Sequence, residues 1–275
     1  MNFIIINGQV ISKQEANLTE FLWDEPLIMS QKVWFGFGGI PLFHENIGSI
    51  ERQLNTFNLS LPPLFKNKRE LFRLTKRMLN KNKFYRSGFV NYQFFISGQT
   101  INSLITCKAF PEFEYTFPKS GLLLDFSEVK KNSLSVTARY KIHNETLWEA
   151  AKSNAAKKGW QGSVLLNEKE NICEGLGTNI FMVKDDVLVT PSLDSGCYED
   201  TFRRVILELA KSFKLKIIET PAIKKEHLFS MDEVFFASEE QGIKWILGVE
   251  SKRFVHEYSD EIHYKLNTFL KEKII

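Results

Sequence analysis

The sequence of 275 residues has few cysteines, little net charge and no long hydrophobic run. Its three cysteines, Cys107, Cys173 and Cys197, lack metal-ligand spacing and are odd in number, which favours a reducing, cytoplasmic location over a disulfide framework. No apolar run approaches the ~20 residues that a membrane-spanning helix needs. A net charge of +3 is too small to indicate nucleic-acid binding. We therefore expect neither a membrane protein nor a nucleic-acid-binding protein.

Two motifs are also missing. The sequence contains no G-x-G-x-x-G, and its strands and helices do not alternate regularly, which argues against a nicotinamide-binding sheet. The five histidines are scattered without a ligand pattern, so we predict no metal site. The apolar start, residues 3–7, is too short for a signal peptide and is read as a first strand.

Length and composition favour a two-domain globular protein. An apolar content of 43% and a charged content of 25% are ordinary for a globular chain, and this length can bury a substantial core. Pro111, Pro118 and Gly121 interrupt the pattern of regular structure and indicate a linker. We predict an α+β protein with a smaller amino-terminal domain at residues 1–117. A larger, β-rich carboxy-terminal domain with flanking helices is predicted at residues 118–275.

The second domain carries most of the strand signals. Short apolar runs predict eight strands, and three amphipathic patterns predict helices. The predicted helices cover 145–158, 200–212 and 258–272, and the predicted strands cover 121–126, 134–139, 162–166, 171–174, 179–183, 186–190, 214–219 and 232–237.

One lysine and one glutamate have settings that indicate chemistry. Lys141 lies in Arg139-Tyr140-Lys141-Ile142-His143-Asn144, between a β-branched stretch and a helical pattern. Glu174 lies in Cys173-Glu174-Gly175, followed by Asn179-Ile180-Phe181. A lysine amine can form a Schiff base with a carbonyl cofactor. A carboxylate can hold a pyridine ring nitrogen protonated, which makes the ring an electron sink.

At these residues the chain resembles the pyridoxal-phosphate enzymes of fold type IV, the class IV aminotransferases. The family's lysine, asparagine and alanine-rich helix are matched by Lys141, Asn144 and Ala150-Ala151. Its "E-G-x-x-x-N" motif is matched by Glu174-Gly175 and Asn179, and its "D-E-V-F" strand by residues 232–235. The resemblance is strong from about residue 134 to 246. It implies the two-domain fold type IV, with a pyridoxal 5'-phosphate site between the domains, and a homodimer.

The resemblance also implies the site residues. Lys141 would be the catalytic residue and would hold the cofactor, and Glu174 would pair with the pyridine nitrogen. Asn179 would order the loop, and Arg52 would contact the phosphate through a pattern similar to "H-L-x-R-L". The rest of the phosphate site would be formed at Thr201 and Ser238.

Several positions depart from the family pattern. Asp200 replaces a glycine at a helix start whose N–H groups would bind phosphate, and Glu239 stands in a second segment that normally offers neutral donors. Both departures place a carboxylate where an anion would bind, which predicts weak cofactor affinity. In the amino-terminal motif, residues 36–42, the glycines are present but the polar residues are not.

These features allow three functions. Gly242-Ile243 are similar to the corresponding pair in 4-amino-4-deoxychorismate lyase, so we predict a pyridoxal-phosphate lyase that eliminates pyruvate and gives 4-aminobenzoate. The alternative is a branched-chain or D-amino acid aminotransferase. A second alternative is a degenerate, non-catalytic homologue with a damaged phosphate site.

Overall fold

In the computed structural model, residues 2–16, 26–98, 100–110 and 112–274 are described. Their contacts divide the chain into two compact units. The first comprises Met1–Glu114 with Leu270–Ile275, and the second comprises Tyr115–Phe269.

The described residues form seven α-helices and fourteen strands, each numbered in chain order. The helices are α1 (Phe43–Thr56), α2 (Pro63–Lys66), α3 (Lys68–Lys81), α4 (Glu145–Lys157), α5 (Thr201–Ser212), α6 (Lys225–Phe229) and α7 (Glu257–Glu272). The strands are β1 (Phe3–Ile6), β2 (Gln9–Ser12), β3 (Leu27–Phe35), β4 (Gly88–Ser97), β5 (Thr100–Lys108), β6 (Leu122–Lys131), β7 (Gly162–Asn167), β8 (Ile172–Glu174), β9 (Asn179–Lys184), β10 (Val187–Pro191), β11 (Lys216–Thr220), β12 (Glu233–Ser238), β13 (Gly242–Val249) and β14 (Lys252–Arg253).

The first unit is an antiparallel sheet in the order β2-β1-β5-β4-β3. The sequence of helix α3 explains both where the helix starts and which face is buried. Asn67 caps its start by accepting a hydrogen bond from the Glu70 N–H group (3.1 Å). Leu71, Leu74 and Met78 recur at helical spacing and are buried in the core that the helices share with the sheet.

The second unit is built on a mixed sheet in the order β11-β10-β9-β12-β13-β6-β7-β8, with β14 paired to β13. β6 is parallel to both β13 and β7, and β10 is parallel to β11. Strands β7 and β12 are buried along their whole length, as expected of strands with both faces covered. The ends of β6, β8, β12 and the start of α5 carry the polar residues described below.

One predicted strand, at residues 134–139, is wrong. This stretch forms turns, while β6 continues to Lys131. The Asn132 side chain accepts a hydrogen bond from the Leu134 N–H group (3.0 Å), and Ser135 Oγ accepts one from the Thr137 N–H group (3.3 Å). Such local hydrogen bonds compete with a strand ladder. Leu134 and Val136 are about three-quarters exposed, so their apolar side chains do not drive sheet formation.

Helices and strands were also missed. Strands β2, β3, β13 and β14 and the short helices α2 and α6 were not predicted. In the part of the chain that the structure describes, none of the helices has the length and apolar character needed to cross a membrane.

Candidate active site

Lys141 lies in the turn that leads into α4. Asn144 holds this turn, because its side-chain Nδ2 donates hydrogen bonds to the carbonyls of Ala138 (2.8 Å) and Tyr140 (2.6 Å). The Lys141 side chain is mostly buried, with 13% exposed, and its Nζ forms an ion pair with the carboxylate of Glu240. The amine is therefore held against a carboxylate and retains access to solvent.

Glu174 ends β8 and is fully buried. Its Oε1 accepts a hydrogen bond from Trp148 Nε1 (2.7 Å), and its Oε2 accepts one from Lys131 Nζ (2.8 Å). The backbone N–H of Tyr198 also donates to Oε2. Lys131 is as buried as Glu174, so the two side chains form an ion pair shielded from water. A buried carboxylate with a paired cation and two further donors is well stabilised as an anion.

Tyr198 connects the surroundings of Glu174 with those of Asp200. Its N–H group contacts Glu174, its ring packs edge-on against Trp148 (5.4 Å between centroids), and its side chain is close enough to Asp200 that the charge of that carboxylate raises the pKa of Tyr198. Asn179 Nδ2 donates to the Tyr198 carbonyl (2.7 Å). Strand β9 and the start of α5 thus hold Tyr198 from both sides.

Asp200 caps the amino terminus of α5. Its Oδ1 accepts hydrogen bonds from the N–H groups of Phe202 (2.8 Å) and Glu239 (2.9 Å). The first donor belongs to the first turn of α5 and the second follows β12. The carboxylate therefore joins two elements, as a side-chain cap that also reaches a second segment.

Several carboxylates lie close together here. Burial raises the pKa of Asp200 to about 6, while the two backbone donors and the charge of Lys141 act in the opposite direction. Burial and the charges of Asp200, Glu239 and Glu240 raise the pKa of Tyr198 well above its usual value. Burial and the same charges also raise the pKa of Tyr115, whose hydroxyl donates to the Glu239 carbonyl (2.6 Å). Near neutral pH this end of the site is negatively charged.

The remaining predicted cofactor-binding residues outside the contacts described above are Thr201, Ser238 and Arg52. Thr201 begins α5 and Ser238 ends β12, so both lie beside Asp200 or its partner Glu239, and both are buried. Arg52 is exposed on α1 of the first unit. The cofactor-binding roles assigned to Lys141, Glu174, Arg52, Asn179, Thr201 and Ser238 stay predictions.

Sequence reasoning missed four residues of this cluster: Lys131, Trp148, Tyr198 and Glu240. Their partners are 24 to 99 positions away along the chain, which no local pattern reveals. Tyr198 had a usable signal, because it lies two positions before the unusual Asp200. Among residues that the structure describes, no group of three or more metal-ligating side chains is positioned to hold an ion.

Comparisons with known proteins agree with this architecture. The profile of the amino-transferase class IV family matches residues 38–244. A probable branched-chain-amino-acid aminotransferase of Aquifex aeolicus is 23% identical over 277 residues, covering 92% of this chain and 86% of the relative. A solved structure of the branched-chain amino acid aminotransferase of Thermobaculum terrenum, in its pyridoxal-phosphate form, aligns with a TM-score of 0.85 and 16% identity. The alignment covers 99% of this chain and 94% of that one.

The branched-chain aminotransferase of Escherichia coli aligns with a TM-score of 0.82 at 18% identity, over 100% of this chain and 96% of that one. The chain therefore belongs to the class IV aminotransferases, a family of pyridoxal-phosphate-dependent enzymes. The predicted family, the α+β fold of type IV and the dependence on pyridoxal 5'-phosphate are confirmed at this level.

The two ends of the site fit that cofactor unequally. Glu174, held as a buried anion by Lys131, suits the protonated nitrogen of a pyridine ring. The helix start and the end of β12 offer N–H groups of the kind that bind phosphate, but Asp200 accepts hydrogen bonds from both. The phosphate end therefore does not fit a phosphate dianion as it stands.

Proposed function

We propose that this protein is an aminotransferase acting on aliphatic amino acids, with Lys141 as the reactive amine. The observation that carries the proposal is the set of side chains around Asp200: Lys141, whose charge acts on Asp200, and Tyr198, whose N–H group donates to Glu174. A mostly buried amine lies at one end of this cluster, and a buried, cation-paired carboxylate lies at the other. This combination suits a reaction in which an amine takes up and returns a proton beside a polarised ring.

The names of the relatives favour transamination over the predicted lyase reaction. The matching proteins of Aquifex aeolicus, Thermobaculum terrenum and Escherichia coli are all described as branched-chain aminotransferases.

The lyase prediction depended on Gly242-Ile243. In the structure Gly242 adopts a left-handed φ of +67°, and a Cβ there would lie 2.8 Å from the Tyr115 ring. A conformational requirement therefore explains Gly242 without any reference to a substrate.

For Lys141 to act as a nucleophile, its ion pair with Glu240 has to open. Glu240 is more exposed than Lys141, with 38% of its side chain accessible, so it can turn toward solvent. Asn144 meanwhile keeps the backbone on both sides of Lys141 in place. The fixed backbone and the exposed counter-ion together let the amine change partners without movement of α4.

The test is a panel of amino donors with 2-oxoglutarate as acceptor, run once in saturating pyridoxal phosphate and once in saturating pyridoxal, with glutamate formation as the readout. Leucine, isoleucine and valine should give product, D-alanine should give less, and 4-amino-4-deoxychorismate should give no 4-aminobenzoate. Lys141→Ala should abolish turnover. The matched control is Lys152→Ala, because Lys152 is a largely exposed lysine on α4. Formation of 4-aminobenzoate, or full activity of Lys141→Ala, would contradict the proposal.

We also propose a homodimer, which the family resemblance implies.

A further inference from the structure

The feature that the proposed function leaves unexplained is the carboxylate of Asp200. Two backbone N–H groups, from Phe202 and Glu239, converge on its Oδ1 at 2.8 and 2.9 Å. Converging N–H groups at a helix start are a common anion site. In this chain the anion is the side-chain carboxylate of Asp200, the residue that caps the helix. Asp200 is 5% exposed, so its carboxylate lies inside the site.

The surroundings reinforce the exclusion of a second anion. Glu239 and Glu240 lie close enough that their charges, with that of Asp200, raise the pKa values of Tyr115 and Tyr198. The nearby cation, Lys141, is already paired with Glu240. A phosphate dianion placed here would meet several negative charges at short range in a poorly solvated environment.

We propose that Asp200 is a built-in substitute for the cofactor's phosphate, so that the site prefers an unphosphorylated pyridoxal-type aldehyde to its phosphate ester. This proposal rests on the proposed function and names the form of the cofactor that the site accepts. A hydroxyl, such as the one an unphosphorylated pyridoxal carries in place of the phosphate, can donate a hydrogen bond to a carboxylate. A phosphate dianion has no proton to donate, and it would have to displace Asp200 from both N–H groups.

The preference should weaken in acid. Asp200 titrates at a pKa of about 6 in the folded protein, amid the charges of Lys141, Glu239 and Glu240 and beside the Tyr198 hydroxyl. Once protonated, it neither repels phosphate nor holds the two N–H groups as strongly.

The first experiment uses inorganic phosphate as the probe and thermal unfolding as the readout. Asp200→Gly frees both N–H groups, and Asp194→Gly is the control, since Asp194 has an 80% exposed side chain paired with Arg139. Near neutral pH, phosphate should raise the melting temperature of Asp200→Gly but not that of the parent or the control. An equal rise in the parent, or no rise in any protein, would overturn the proposal.

The second experiment measures affinities for pyridoxal and pyridoxal phosphate by absorbance titration. The parent should bind pyridoxal at least as tightly as the phosphate ester. Asp200→Gly should gain about tenfold or more in affinity for the ester, with little change for pyridoxal. Asp200→Asn keeps the shape of the cap and is the variant to use if Asp200→Gly folds poorly. Its affinity for the ester should also rise. Tight binding of the ester by the parent, unchanged in both variants, would overturn the proposal. The transamination assay remains an independent test of the proposed function.

Discussion

The substitution Lys131→Met removes the cation that stabilises Glu174. Lys131 Nζ lies 2.8 Å from Glu174 Oε2, and the two side chains are 1% and 0% exposed. Methionine has a similar length and no charge, so the site should lose the ion pair without gaining a large cavity. Glu174 would keep its hydrogen bonds from Trp148 and Tyr198 but would lose its counter-ion.

The expected cost is large because the remaining charge stays buried. Removing one partner of a buried ion pair typically costs about 3–5 kcal/mol, most of it from the uncompensated charge. The adjacent Lys130 gives the comparison. Its ion pair with Glu170 is about half exposed on both sides, and such pairs contribute about 0–1 kcal/mol.

The assay is urea unfolding of the parent, Lys131→Met, the control Lys130→Met and the double variant Lys131→Met with Glu174→Gln. Lys131→Met should lower the free energy of unfolding by several kcal/mol and the control by less than about 1 kcal/mol. The double variant should cost less than the sum of its two single variants, because a neutral amide in place of the Glu174 carboxylate needs no cation. Equal stabilities of Lys131→Met and Lys130→Met would show that the buried ion pair contributes no more than the exposed one.

Three further predictions follow from the structure and the family. Asp200 has a pKa of about 6 when folded, against an ordinary aspartate value of 3.8, so it stabilises the fold below about pH 4 and loses this contribution as the pH rises through 6. Relative to Asp200→Asn, the parent should therefore lose up to about 3 kcal/mol across that range, and parallel pH profiles of unfolding would contradict this. Gly175→Ala should destabilise by about 1–3 kcal/mol in thermal unfolding, because a Cβ there would lie 2.6 Å from the Phe236 ring. Gly48→Ala on α1 should not destabilise the protein, because a Cβ there meets nothing closer than 3.6 Å. Equal losses of thermal stability in the two variants would exclude the steric cause. Light scattering at micromolar concentration should give the mass of a homodimer, and a monomer mass would count against it.

Local sequence patterns predicted helices α4, α5 and α7 closely, whereas the fold type followed from the family resemblance. The predicted helices at 145–158, 200–212 and 258–272 differ from α4, α5 and α7 by one residue at an end, because each has an amphipathic or capped sequence. The strand predicted at 134–139 failed because Asn132 and Ser135 form local hydrogen bonds that a β-propensity pattern does not register.

The candidate site was predictable only where the family motifs are present in the sequence. Lys141, Glu174 and Asp200 stand out because of their settings. The partners that give these residues their properties do not stand out. Lys131 pairs with Glu174, and the Glu239 N–H group contacts Asp200, across long separations in the sequence. The sequence also suggested that Asp200 would oppose an anion. The structure adds that Asp200 itself accepts hydrogen bonds from the two N–H groups.

Borohydride reduction in saturating pyridoxal phosphate or pyridoxal, followed by peptide mapping, identifies the lysine to which the aldehyde is attached. The amine of Lys141 is mostly buried beside the acidic end of the site and is the proposed point of attachment. The label should lie on Lys141 and be absent from Lys141→Ala. Label on another lysine, or no label with either compound, would contradict this attachment.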